Sequence, residues 1–387
     1  MAVTPLFENI LDFIPFSFLD FRDNGCMLES TLNGGIKMIL VTGASGHLGN
    51  VLIRELLADG EKIRAMVLPG ETIEHLLELP VELFYGDILE PVSLRGAMQE
   101  VDTVFHLAGV IAIRPGMEDT MRRVNVEGTR NVAEAALECG IKRMIHVSSV
   151  HAFRRAPHGV VMDENTPLAL DCPAGSYDRT KAEGTRAVLD AVARGLNAVI
   201  ICPSGIIGRH DYLASEMGRT LLSFTDRLAD ILVDGSYDFV DVRDVARGLI
   251  LARDRGKNGE IYILSGSQIT IEELHRLAQQ SAGIRVAKIK LTAHTARFLV
   301  GIAQHFFYWL KIKSRYTIYS LQTLFDNSLF SSQKAFRELG YRPRPLAETV
   351  ADFITWHRAF TRQKKENLKL RGIKIPRAKT ARGSDCC

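Results

Sequence analysis

Met38-Ile39-Leu40-Val41-Thr42-Gly43-Ala44-Ser45-Gly46-His47-Leu48-Gly49 decides the fold of this chain. An apolar run of strand length enters a turn with three glycines, and Asn50 to Ala58 then follows a helical period. Strand, glycine turn and helix in that order are what a dinucleotide-binding unit requires. Gly43 allows the tight turn, Gly46 lets the backbone approach a pyrophosphate at the helix N-terminus, and Gly49 lets helix and strand pack closely. A flexible loop would also be rich in glycine, but it would not be framed by these two elements.

Outward from that turn, apolar runs recur at the spacing of an alternating β/α chain. Strands are expected at Ile63 to Leu68, Val81 to Tyr85, Val101 to Phe105, Met144 to Val147, Ala198 to Cys202 and Ile261 to Leu264, with Phe239 to Val245 returning to the sheet. A long helix is expected from Asn125 through Cys139. The fold class is therefore α/β, a doubly wound parallel sheet of Rossmann type with ligands at the strand C-termini. After Gly208 the pattern loosens, which suits a smaller C-terminal lobe drawn mainly from residues 208–235 and 265–345 that takes the substrate.

Strand ends carry the candidate chemistry. The second strand ends in Val67 and Leu68, where an acidic residue would accept a ribose hydroxyl and an Arg would take a 2′-phosphate. The chain offers neither there, so NAD and NADP both remain open as cofactors. Asp87 is placed to accept a bond from an adenine amino group or to cap the following helix. Ser148 and Ser149 close a strand and point small hydroxyls into the crevice. Ser176-Tyr177-Asp178-Arg179-Thr180-Lys181 then sets a phenol and an ammonium four residues apart on one helix face. A nearby cation lowers a tyrosine pKa by roughly 1–3 units, which would make Tyr177 a usable proton shuttle. Arg114, His151, Arg154 and Arg155 are either pocket groups for an anion or solvated loop charges.

Composition bounds the rest. With 387 residues, 46% hydrophobic and 24% charged, the chain can bury a large core. From Arg362 onward nine Lys or Arg face Glu366 and Asp385, a net of +7 against +3 for the whole chain. The remainder is slightly acidic, so no face for nucleic acid is implied. Six scattered cysteines without zinc-site spacing predict a reducing compartment, no metal and a cytoplasmic location.

Residues 1–36 form an extension without a basic leader, unlike a signal peptide, and Met38 is an equally good start for the fold. Phe298 to Leu310 is apolar but shorter than the roughly 20 residues that span a bilayer. It reads as a lobe helix in preference to a weak membrane-surface contact. Residues 362–387 read as a disordered basic tail whose Cys386-Cys387 resembles a double-prenylation ending.

With the glycine turn, Asp87, His106-Leu107-Ala108-Gly109, Asn125, Ser149, Tyr177 and Lys181 in order, the chain from about Met38 to Phe360 resembles an extended short-chain dehydrogenase/reductase of the NAD-dependent epimerase/dehydratase group. Cys202-Pro203-Ser204-Gly205-Ile206-Ile207-Gly208 and Phe239-Val240-Asp241-Val242-Arg243-Asp244-Val245 are most similar to its dihydroflavonol 4-reductase and 3β-hydroxysteroid dehydrogenase branch. The resemblance implies Tyr177 as proton donor or acceptor, Lys181 on the nicotinamide ribose and Ser149 on the substrate oxygen. It places Gly43, Ser45, Gly46, His47 and Leu48 along the pyrophosphate and Asp87 and Ile88 at the adenine. Leu107, Ala108, Gly109 and Asn125 would line the crevice, and Pro203 would back the nicotinamide. Leu68, where the branch often carries Arg, tips the balance modestly to NAD.

The implied activity is hydride transfer between nicotinamide and a carbonyl or secondary alcohol of a small organic substrate, with a homodimer among the assemblies open to it. Two other functions compete. A nucleotide-sugar epimerase with retained NAD would use the same three residues. A cofactor-binding regulator without turnover would have no need of Tyr177. Dehydration is disfavoured because Val150 and His151, not an Asp-Glu pair, follow Ser149.

Overall fold

The chain is described by a computed structural model at residues 38–111, 116–171, 175–225, 229–285, 287–291 and 323–370. The N-terminal extension, Arg114, Phe298 to Leu310 and the tail beyond residue 370 lie outside the described residues.

The described residues begin with β1 (Met38–Thr42), α1 (His47–Ala58), β2 (Lys62–Val67), β3 (Glu82–Tyr85), α2 (Pro91–Ala97) and β4 (Val101–His106). It continues through α3 (Glu118–Arg122), a π-helical turn at Arg123–Gly128, α4 (Thr129–Glu138), β5 (Arg143–Val147), α5 (Ser176–Ala193) and β6 (Ala198–Pro203). Next come β7 (Gly205–Ile207), α6 (Glu216–Ser223), β8 (Ala229–Val233), β9 (Ser236–Asp241), α7 (Val242–Arg255) and β10 (Ile261–Leu264). The last elements are β11 (Ser267–Thr270), α8 (Ile271–Ala282), β12 (Ala287–Leu291), α9 (Gln333–Leu339) and α10 (Leu346–Leu370).

Seven parallel strands form one sheet in the order β10-β6-β5-β4-β1-β2-β3. Strands buried on both faces read as continuous apolar runs, and β6 is buried at all six positions. Alternation along β1 sends Ile39 and Val41 to one helix layer and Leu40 to the other. The first layer holds Leu52 and Leu56 of α1 with Val245 and Leu249 of α7. The second holds Leu94 of α2, Val132 and Ala136 of α4 and Val188 and Ala191 of α5. The order in which strands are laid down reverses between β1 and β4, and in such sheets the ligand crevice opens at that switch, at the strand C-termini.

A second core gathers Ile207, Leu221, Phe224, Phe239, Leu274, Val350 and Phe353. Around it stand a three-stranded sheet ordered β11-β9-β7 and the parallel pair β8 and β12. Phe239 to Val245 therefore does not return to the main sheet as expected. Asp241 ends β9 and caps α7, accepting the Arg243 amide at 2.8 Å, so the apolar run is half strand and half helix. Arg243 also pairs with Asp352, and Arg344 with Asp244, which ties α10 to α7. Inside the stretch expected to form the lobe, α9 packs instead on the main core through Ala335 and Leu339. The helix α10 runs on to Leu370, past the expected start of a disordered tail at Arg362, because no Gly or Pro interrupts it before Gly372.

Candidate active site

The glycine turn is built as three different constraints. Gly43 has φ +68°, and a Cβ there would lie 2.7 Å from the Ala108 nitrogen. A Cβ on Gly49 would lie 2.2 Å from the Gly43 oxygen, so α1 rests directly on the turn. At Gly46 a Cβ would meet only the Gly43 oxygen, at 3.3 Å. Gly46 is also the N-cap of α1 with no side-chain cap bond, so the first amides of a 12-residue helix point out without a capping side chain. Orphan amides behind an open glycine fit a pyrophosphate, which takes up N–H bonds and the positive helix end together.

Around the turn, the His47 ring bonds the Arg209 carbonyl at 3.0 Å, while Leu48 packs against the main core. Leu107 and Ala108 join β4 to β1: their amides donate to the Thr42 carbonyl at 3.3 Å and to the Thr42 hydroxyl at 3.3 Å. His106, one step earlier, is buried between the hydroxyls of Thr42 and Thr129 at 2.8 and 3.0 Å. Burial lowers its pKa to about 3, so it is a neutral packing group.

Not every expected cofactor residue presents its side chain. Ile88 is 7% exposed, and a Cβ on Gly128 would come within 2.6 Å of its Cδ1, so its side chain fills a core notch. Asp87 accepts the Leu89 amide at 2.9 Å and so shapes the turn into α2. Asn125 accepts the Val110 amide at 2.8 Å and donates to the Val110 carbonyl at 2.9 Å and the Thr180 hydroxyl at 3.2 Å. Its amide thus joins the loop after β4 to α5. A Cβ on Gly184 would lie 2.4 Å from the Asn125 oxygen, so α5 lies hard against this π-turn.

At the end of β5 the two serines diverge. Ser148 bonds the Thr185 hydroxyl at 2.6 Å inside the protein. Ser149 accepts the His151 amide at 3.2 Å and lies near enough to the Tyr177 hydroxyl to act on its ionisation. Lys181, one turn beyond Tyr177 on α5, donates to the Val147 carbonyl at 3.0 Å and stands beside Gly109, whose added Cβ would be 3.8 Å from Nζ. Pro203 closes the neighbouring strand β6. Ser149, Tyr177, Lys181 and Gly109 therefore share one side of the crevice.

The electrostatics depart from expectation. Burial, with the Asp178 carboxylate, holds the Tyr177 hydroxyl above the usual phenol range, and the nearby Ser149 hydroxyl only partly offsets it. The Lys181 ammonium is directed at a backbone carbonyl, and burial lowers its own pKa to about 8.

Behind Tyr177 lies a polar chain that sequence spacing does not reveal. Asp178, 1% exposed, is hydrogen-bonded to His151 Nδ1 at 3.1 Å and accepts from Arg155 at 2.8 Å. The Tyr237 hydroxyl, from β9, is 2.8 Å from His151 Nε2. Arg155 also pairs with Asp326, and Arg154 with Asp171, so both arginines are neutralised by acids. A narrow cavity beside this chain is lined by Val150, Phe153, Met162 and Phe330 together with His151 and Tyr237.

A parallel doubly wound sheet with a glycine cradle at its switch point, and a serine, tyrosine and lysine on the facing strand and helix, defines a dinucleotide-dependent oxidoreductase. The chain belongs to the NAD dependent epimerase/dehydratase family, whose model matches residues 39–265. It is 34% identical over 326 residues to sterol demethylase protein B of Methylococcus capsulatus, covering 82% of this chain and 98% of the relative. It is 28% identical over 343 residues to a 3-beta-hydroxysteroid dehydrogenase of Mycolicibacterium neoaurum, covering 82% and 90%. The crystal structure of gox2253 superposes with a TM-score of 0.74 at 34% identity, covering 84% of this chain and 98% of that one. The protein is an NAD(P)-dependent oxidoreductase of this family. Among the described residues no helix is long and apolar enough to cross a membrane.

Proposed function

We propose that the protein moves a hydride between nicotinamide and a secondary alcohol or ketone on an apolar, ring-bearing substrate. The observation that carries this is that Tyr177, Ser149 and Lys181 gather at the C-terminal end of β5, with Lys181 Nζ donating to the Val147 carbonyl and Ser149 influencing the Tyr177 hydroxyl. When bound, the nicotinamide supplies or accepts the hydride. For reduction, Tyr177 gives its proton to the carbonyl oxygen while Ser149 donates a second bond to the charge developing there. Burial keeps Tyr177 protonated, which suits a proton donor. For oxidation Tyr177 must first lose its proton, so that direction gains from higher pH. Lys181 would hold the nicotinamide ribose from its place beside Gly109.

Two features support the substrate class. The narrow cavity beside His151 and Tyr237 has Val150, Phe153, Met162 and Phe330 on its wall, together with the polar Arg155, Thr323, Asp326 and Asn327. The relatives' names include a sterol and a 3-beta-hydroxysteroid. The lobe around β9, which contributes Tyr237, would close over such a substrate. The test incubates the purified protein with NAD and 3β-hydroxysteroids, or with NADH and 3-ketosteroids, and follows nicotinamide absorbance. Turnover that Tyr177→Phe removes is expected. Conversion of nucleotide sugars without net cofactor change, and none of steroids, would overturn the proposal.

A further inference from the structure

We infer that Glu71 selects NAD over NADP in this protein. The inference rests on the glycine turn being the cofactor cradle. Val67 and Leu68, where a strand end normally meets the adenosine ribose, are both apolar. Three residues further on, the chain returns. Pro69-Gly70 turns it, with Gly70 at φ +85° and the Glu71 amide donating to the Leu68 carbonyl at 3.2 Å. Glu71 Oε2 then accepts from the Leu68 amide at 3.1 Å and from the Ser45 hydroxyl at 2.8 Å.

The carboxylate therefore bridges the end of β2 and the glycine turn. A dinucleotide whose pyrophosphate lies at Gly46 must set its adenosine ribose in that notch. Ser45 is fixed from its other side by His75, whose Nε2 is 2.9 Å from the Ser45 carbonyl and which burial keeps neutral. Among the described residues Glu71 Oε1 has no partner, which suits it to accept from a ribose hydroxyl.

A 2′-phosphate would bring about 1.5–2 negative charges against this carboxylate, and among the described residues neither the loop nor its neighbouring arginines offers a cation to offset them. Residues 65–80 carry Glu71, Glu74 and Glu78 and no Lys or Arg. Arg64 is turned away, bonding Glu82 at 2.7 Å and the Ala97 and Gln99 carbonyls at 2.9 and 2.6 Å. Arg54 is engaged with the His75 carbonyl at 3.2 Å and the Tyr212 hydroxyl at 3.3 Å.

A loop latch and a charge selector are separated by Glu71→Gln, which keeps one oxygen to accept both loop bonds while replacing the negative charge and the free acceptor Oε1 with a neutral amide. Titration calorimetry with NAD and with NADP on the full chain reads both affinities, and thermal melting confirms that the variant is folded. Wild type should bind NAD at least about tenfold more tightly than NADP, and Glu71→Gln should narrow that ratio by about tenfold through gained NADP affinity. An unchanged ratio in the folded variant, or a wild type that prefers NADP, overturns the inference while leaving the cradle in place. If the folded wild type binds neither dinucleotide, the cradle itself is wrong and the inference falls with it.

Discussion

Adding one methyl at Gly46 and one at Gly49 should have opposite consequences. At Gly49 the new carbon would sit 2.2 Å from the Gly43 oxygen and 2.9 Å from Ala44 Cα, both backbone atoms that no rotamer change can move. The helix α1 would have to lift from β1, at a cost near the upper end of the overpacking range, about 3 kcal/mol. At roughly 2 °C or more per kcal/mol, Gly49→Ala should lower the melting temperature by several degrees. At Gly46 the only neighbour is the Gly43 oxygen at 3.3 Å, which needs to give by a few tenths of an ångström, and φ is −69°. Alanine there should be nearly neutral for folding. Its methyl would stand where the phosphates approach the α1 amides and would weaken charge-assisted bonds of about 1.5–3 kcal/mol, roughly 10- to 100-fold in affinity. Differential scanning calorimetry and dinucleotide titration on both variants test this. A Gly46→Ala protein that binds within threefold of wild type would refute the cradle geometry, as would one that loses more stability than Gly49→Ala.

Tyr177→Phe keeps the ring and removes only the transferable proton, so cofactor affinity should be nearly unchanged while turnover falls by about 10²–10⁴; more than half of wild-type turnover in a chemistry-limited assay counts against its role. Alcohol oxidation by the wild type should rise with pH from neutrality upward, because burial raises the Tyr177 pKa and oxidation needs the phenolate; a flat profile would show that another group takes the proton. Lys181 has a folded pKa near 8 against 10.5 ordinarily, so the unfolded chain binds the extra proton between those values. The cost of burying its charge is fully present below about pH 8 and fades as pH rises toward 10.5. Melting temperatures of wild type and Lys181→Met should accordingly shift in favour of wild type between pH 7.5 and pH 10, and a constant difference would mean that the ammonium is not buried as described.

Much of this was legible in the sequence, for a physical reason. Strands buried on both faces read as apolar runs, so Ala198 to Pro203 and Ile261 to Leu264 stand out with ends right to within a residue, and Val101 to His106 is found as closely despite Asp102 and Thr103. The glycine turn was equally readable because each glycine meets a steric demand of its own. Hydrophobicity alone misled at Phe239 to Val245, where Asp241 is the cap that splits the run; an Asp before Val242-Arg243-Asp244 was the available signal. The Tyr237, His151 and Asp178 chain joins residues up to 86 positions apart, which no local pattern encodes. Glu71 was within reach: Pro69-Gly70 directly after a strand is a turn signal, and a turn there returns the next residue to the strand end. Tyr177 was placed correctly on its helix, but its pKa depends on burial by the whole fold, which the Lys181 spacing does not report.

The central claim is hydride transfer with a cofactor that is exchanged at every turnover. It is tested most directly by counting the NADH formed per chain when protein stripped of bound nucleotide is mixed with excess NAD and a secondary-alcohol substrate. NADH should accumulate far beyond the number of chains in the wild type and stay near zero in Tyr177→Phe. NADH that stops at one per chain, or product that forms with no net change in cofactor, would contradict the claim and identify an enzyme that keeps its cofactor between turnovers.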